Sequence, residues 1–136
     1  MSLELDKGQI HETVLNLISE ERRGLLLDAG AGNGALSLEL HKLGFKVITA
    51  DINNNFKARD VENGIEFALC DLDKVFPFED DTFDYVVAVE VIEHLENLWH
   101  FLREINRVLK KEEKLYLTTP NVHSLHQRIY FLFWKV

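Results

Sequence analysis

The chain is short of residues that cross-link, break or anchor a fold. A single cysteine, Cys70, in 136 residues excludes an intramolecular disulfide framework and fits a reducing cytoplasm. No apolar run approaches membrane-spanning length, and Met1 to Asp6 has neither the basic flank nor the apolar stretch of a signal peptide. Basic charge is scarce as well: 15 Lys and Arg stand against 23 Asp and Glu, a formal net charge of −8. Proteins that grip a phosphate backbone are mostly basic, so this balance argues against a nucleic-acid partner. The one run of cations, Arg103, Arg107, Lys110, Lys111 and Lys114, reads as a solvated helix face and C-terminal turn favoured by the helix dipole. Repeats, low-complexity segments and linkers are absent. The length suits one domain, residues 1–136, with a real core, and is too short for two.

What the chain does have is alternation. Ile10, Val14, Leu15, Leu17 and Ile18 recur at helical spacing and mark a first helix ending near Arg23-Gly24. A short apolar strand follows over Leu25 to Asp28, then a helix from Leu36 to Leu43 closed by Gly44, then a strand from Lys46 to Ala50. The stretch Asn53 to Asp60 has room for a short helix, and Gly64 turns the chain into a third strand, Ile65 to Leu69. Asp84 to Val89 is nearly all apolar and β-branched, the pattern of a strand buried on both faces. Asn97 to Leu109 is the longest helix, and Lys114 to Thr119 a fifth strand stopped by Pro120. Strands alternating with helices predict an α/β fold with a doubly wound, mostly parallel sheet of about five strands, Rossmann-like in plan. Right-handed crossovers would gather the ends of strands one, two and four around one crevice.

At that crevice lies Asp28-Ala-Gly30-Ala-Gly32-Asn-Gly34, a glycine turn between a strand and a helix. Such a turn lets a ligand approach bare backbone with N–H groups pointing at it, so a nucleotide-like ligand is expected. Read as Gly30-x-Gly32-x-x-Ala35, the turn formally fits the relaxed dinucleotide fingerprint, which leaves NAD or FAD open. Asp28 counts against a pyrophosphate, which its carboxylate would repel. A cofactor with a positive centre and no phosphate suits the acidic turn better. Asp51 ends the second strand at a distance from the glycines where an acid reaches ribose hydroxyls, or else caps the next turn. Ile52 beside it is placed to pack on a purine face.

These residues resemble the class I S-adenosylmethionine-dependent methyltransferases, whose first motif is an acidic residue followed by Gly-x-Gly-x-Gly. The resemblance runs from Leu25 to Asn121 and is closest to the branch of the ubiquinone-biosynthesis O-methyltransferases. It implies that Asp28, Gly30, Gly32, Gly34, Asp51, Ile52, Asp71, Leu72 and Glu90 bind S-adenosyl-L-methionine and its product S-adenosyl-L-homocysteine. In that family the position of Asp71 carries the acid that bonds the adenine amino group; capping a following turn is the other role open to it. Phe76, Phe78 and Phe83 read as core aromatics. Glu90-Val-Ile-Glu93-His94 closes strand four, and a hydroxyl acceptor would need a base. His94 is the candidate base and Glu93 its orienting partner, although His94 could instead merely cap a helix beside the pocket. Glu90, Glu93 and His94 are also of metal-ligand type, and a similar cluster holds a metal in small-RNA 2′-O-methyltransferases. The further histidine of that family has no clear counterpart, since His123 and His126 would reach the cluster only if the tail folds back, so no metal is expected. One departure is visible: the family's glycine pair before strand five is Glu112-Glu113 here.

The tail departs further. The complete family fold adds two strands after strand five, whereas this chain offers only Val122 to Val136. Leu125, Ile129, Leu132 and Phe133 fall at helical spacing, which predicts a helix covering an otherwise exposed strand five. Tyr130, Phe131 and Trp134 would then leave an apolar face for a second copy or a partner chain. The expected function is methyl transfer to a small-molecule hydroxyl or similar nucleophile by a cytoplasmic dimer. The alternative is a cofactor-binding but catalytically incomplete subunit or fragment that needs a partner.

Overall fold

Residue parity sorts the core into two layers. The computed structural model describes residues 7–53, 64–119 and 128–133. Helix α1 (Lys7–Ile18) leads into β1 (Leu25–Ala29), α2 (Ala35–Lys42), β2 (Lys46–Asp51), β3 (Glu66–Leu69) and β4 (Phe83–Ala88). A 3-10 turn (Ile92–His94), helix α3 (Leu98–Val108), β5 (Leu109–Thr119) and β6 (Arg128–Phe133) complete the order. Successive strand residues face opposite sides of a sheet. Leu26, Tyr85 and Val87 accordingly pack with Val14, Ile18, Leu36 and Leu40 of α1 and α2. Leu27 and Val86 pack on the other side with Phe101, Ile105 and Val108 of α3.

The strand order is β3-β2-β1-β4-β5-β6. The first five strands pair in parallel, as the alternation predicts. The chain order reverses between β1 and β4, and in open α/β sheets ligands bind in the crevice at the carboxyl ends of the strands flanking such a reversal. Of the helix expected over Asn53 to Asp60, residues 54–60 lie outside the described residues, as do His123, His126, Leu125 and Trp134.

The tail requires a correction. Arg128–Phe133 is a strand, not a helix, and it pairs antiparallel with β5 from Lys114↔Phe133 to Thr119↔Arg128. Strand five is therefore not an exposed edge, and the chain does have residues for a further strand. The physical reason is non-local: β5 offers a full row of unpaired backbone groups, and a run of β-branched and aromatic residues pairs with it readily.

The cation run also departs from a simple solvated face. Arg107 donates to both Glu104 oxygens, to the Phe76 and Phe78 carbonyls and to Asp80, tying the segment before β4 to α3. That guanidinium outweighs burial, which would raise the carboxyl, and holds Glu104 below the usual carboxylate range. Phe76 and Phe83 are buried in the core as expected. Among the described residues no helix is long and apolar enough to cross a membrane.

Candidate functional site

The glycine turn is held open by backbone bonds to the neighbouring strand. The N–H groups of Gly30 and Ala31 both donate to the Ala50 carbonyl, at 2.7 and 3.1 Å. Gly30, Gly32 and Gly34 have φ of 77°, 58° and 84°, a left-handed backbone that side chains disfavour. At Gly30 space is closed too, because a Cβ there would lie 2.6 Å from Val91 Cγ2. At Gly32 nothing lies within 4 Å of a built Cβ, so that glycine faces open space where a ligand can approach. Gly34 is the N-cap of α2 and lines neither cavity described below. Its part is to shape the turn.

Each strand end contributes a carboxylate. Asp51 accepts from Gly32 N–H at 2.8 Å through one oxygen and from Asn53 N–H at 2.9 Å through the other. It thereby pins the glycine turn, and a carboxylate with four lone-pair sites retains capacity for hydroxyls. Asp71 accepts from Asp73 N–H at 3.0 Å, an Asx-type turn that opens the loop after β3. Asp73 in turn accepts from the N–H groups of Glu96 and Asn97, clamping that loop to the start of α3. Asn97 caps α3 through His100 N–H.

Asp28 behaves differently from the other two. It shares the face of β1 that carries Leu26, so its side chain points towards α2, where Ser37 donates to it at 2.6 Å. Its residue is only 2% exposed. Burial pushes its carboxyl up to about 6, the Ser37 hydroxyl opposes that rise, and the Asp51 charge adds to it. The sulfur of Cys70 is a free thiol that burial, with the nearby carboxylates, pushes up to about 11 and so leaves unreactive.

Two adjoining cavities occupy the crevice. One, of about 300 Å³, is lined by Asp51, Ile52, Asp71, Leu72 and Asp73 with Glu90 and His94 at its inner end. Ile52 is 59% exposed there, an apolar platform beside the Asp51 carboxylate. The second, of about 350 Å³, is lined by Asp28, Gly30, Gly32 and Asn33 together with Glu90, Glu93 and His94. All the expected site residues except Gly34 thus meet in one cleft. Glu90 joins both cavities with φ of 56°, a strained backbone for a side-chain-bearing residue, and its N–H donates to Thr118 Oγ1 at 2.7 Å. His94 Nε2 lies 3.9 Å from Glu93 Oε1, with the imidazole well exposed. Among the described residues no group of three or more His, Cys, Asp or Glu side chains is arranged to hold a metal ion.

His11 of α1, which the sequence did not single out, also lines the second cavity. Its helical neighbours Ile10 and Val14 are core, and nothing in spacing alone says that the next residue looks over the strand ends. Asp73 was equally silent, since its role depends on a helix start 23 residues away.

A doubly wound sheet with a glycine turn, a carboxylate at each neighbouring strand end and an apolar platform is the layout of an open α/β domain with a ligand crevice at its strand ends. Residues 27–117 match the family model described as a methyltransferase domain, and the chain belongs to that family. The human mitochondrial ubiquinone biosynthesis O-methyltransferase is 34% identical over 117 residues, covering 79% of this chain and 32% of that protein. The chain therefore spans about a third of the length of the curated relatives that it matches first. Among solved structures, a protein from Pyrococcus horikoshii is 34% identical with a TM-score of 0.71, over 82% of this chain and 57% of the other. The phosphoethanolamine N-methyltransferase 2 of Haemonchus contortus, solved with S-adenosyl-L-methionine, has a TM-score of 0.71 at 25% identity, over 80% of this chain and 27% of its own.

Proposed function

We propose that the cleft binds S-adenosyl-L-methionine and that the chain is an S-adenosylmethionine-dependent methyltransferase acting on a small-molecule hydroxyl or similar nucleophile. One observation carries this: three strand ends each present a carboxylate around a glycine turn, and among the described residues no Lys or Arg lines either cavity. A pyrophosphate would find no cation there, whereas a sulfonium nucleoside finds opposite charge throughout. Asp51 takes the ribose hydroxyls, Ile52 and Leu72 flank the purine, and Asp71 accepts from the adenine amino group. Gly30 and Gly32 give the methionine end room, and Asp28 and Glu90 supply negative charge near it.

When bound, the cofactor would supply an activated methyl group for transfer to the acceptor oxygen, with the sulfonium leaving as a neutral thioether and the acceptor proton passing to an imidazole. The protein's part is alignment and proton removal. His94 stands at the junction of the two cavities and receives that proton, with Glu93 orienting its ring. A cytoplasmic setting belongs to the same proposal, supported by the single buried, free thiol. Self-association is carried forward on new ground, because β6 and not β5 now stands at the end of the sheet.

Calorimetric titration with S-adenosyl-L-homocysteine and, separately, NAD tests the cofactor. Binding of the former and not the latter is expected; NAD alone would overturn the proposal. His94→Ala should keep the homocysteine nucleoside's affinity and lose about 100-fold in turnover. Full turnover in that variant would remove His94 as the base.

A further inference from the structure

The second cavity continues beyond the glycine turn to a wall that the cofactor roles leave unassigned. That wall is α1, through His11, which lines the same cavity as Glu93 and His94 of the 3-10 turn and as Asp28 and Glu90. Two imidazoles and three carboxylates therefore line this cavity, and among the described residues no guanidinium or ammonium does. Lys74, in the loop of the neighbouring cavity, is 4.0 Å from Asp71.

A charge count decides what else can enter. The count rests on the cofactor reading above. Bound S-adenosyl-L-methionine carries a sulfonium, an ammonium and a carboxylate, a net single positive charge. The three carboxylates of this cavity exceed it by two. An acceptor bearing a carboxylate or phosphate beside its nucleophile would meet that excess with no cation to hold it. A hydroxyl or an amine meets acceptor oxygens for its own O–H or N–H groups and two imidazoles.

We propose that this end of the cleft is an acceptor subsite for a neutral or positively charged polar group, a hydroxyl or an amine, held by His11 of α1 and the Glu93–His94 pair. His11 is thereby a positioning residue for the acceptor, and α1 is part of the site as well as of the core. Its placement follows from packing: Ile10 and Val14 anchor α1 against the sheet, which fixes the direction of the residue between them.

The test uses nucleosides that need no knowledge of the natural acceptor. In three 5′-aza analogues of S-adenosyl-L-methionine the methyl is replaced by a two-carbon arm ending in a hydroxyl, a primary amine or a carboxylate. Calorimetry on the whole chain should rank the amine and hydroxyl arms together and the carboxylate arm about tenfold or more weaker at low salt. His11→Gln should weaken the hydroxyl and amine arms about fivefold and leave S-adenosyl-L-homocysteine within about twofold. Binding of S-adenosyl-L-homocysteine with the carboxylate arm equal or tightest overturns the acceptor class alone. Arms that bind His11→Gln and the parent alike overturn the role of His11. Failure of S-adenosyl-L-homocysteine to bind at all overturns the cofactor reading, and this one with it.

Discussion

The two ends of the sheet treat their carboxylates in opposite ways. At the N-terminal end, Asp84 accepts from Leu25 N–H and pairs with Arg22 and Lys110. Glu113 pairs with Arg22 there, and Glu21 with Lys114 and the Tyr116 hydroxyl. At the C-terminal end, Asp51 and Asp73 meet backbone N–H groups, and Asp28 meets a serine. Among the described residues, only Asp71 of these has a lysine, at 4.0 Å. The first end is neutralised within the chain. Burial would raise the Asp84 carboxyl, yet the Leu25 N–H, Lys110 and Arg22 outweigh it and hold it below the ordinary range. The second end keeps its charge, and Asp28 there is raised instead. A fold leaves negative charge gathered around an open cleft at a cost in stability, and a cationic ligand is what offsets that cost.

Exchanging the roles of the two ends gives the largest expected effects. Asp51→Ala should lose about 100-fold or more in affinity for S-adenosyl-L-homocysteine, since two hydrogen bonds to a charged group contribute about 1.5–3 kcal/mol each. Asp84→Ala should leave that affinity within about twofold and lower unfolding free energy by about 2–3 kcal/mol, read by urea denaturation, because it strands Arg22, Lys110 and the Leu25 N–H. Equal effects of both changes on affinity would erase the contrast.

Asp28 sharpens it next. The rise from an ordinary 3.8 to about 6 corresponds to about 3 kcal/mol at neutral pH. The native state holds this proton more tightly than the unfolded chain. The group therefore costs stability above pH 6, and the cost fades as pH falls towards 3.8. Asp28→Asn, which keeps an acceptor for Ser37, should raise stability by up to about 3 kcal/mol at pH 7.5 and by almost nothing at pH 4. The same variant should bind S-adenosyl-L-methionine about tenfold more weakly. The paired acids Asp84 and Glu104 have the opposite sign: their stabilisation is present above the ordinary carboxylate values and is lost as pH falls through their depressed ones. Thermal melts of wild type and variant across about pH 2–8 check both slopes.

The smallest effect lies at Glu112, with φ of 64° in the register shift of β5 between its Leu109 and Lys114 pairings with β4. Glu112→Gly should stabilise the chain by about 0.5–1 kcal/mol, because a left-handed backbone suits glycine and strains other residues. Cofactor affinity should not change.

Much of this was legible in the sequence because it is local. Strand one, the glycine turn and Asp51 are specified within a few residues, and the Glu112-Glu113 departure marked a backbone position that does take a left-handed turn. The tail was not legible, since Ile129, Leu132 and Phe133 satisfy a helical period within a run equally suited to a strand. What decides between them is the unpaired side of β5, which lies elsewhere in the chain. Arg107 failed for the same reason: its partners Phe76, Phe78 and Asp80 precede it by a whole strand. His11 depends on how α1 sits over the strand ends, which no spacing encodes.

Hydrogen exchange with and without S-adenosyl-L-homocysteine tests most directly whether the two ends differ in function. Added protection should appear in peptides covering 28–34, 51–53, 70–73 and 90–95, with none in 21–25 or 109–114. Protection at the N-terminal end, or none at the glycine turn despite measured binding, would contradict the assignment of the cofactor to the uncompensated end of the sheet.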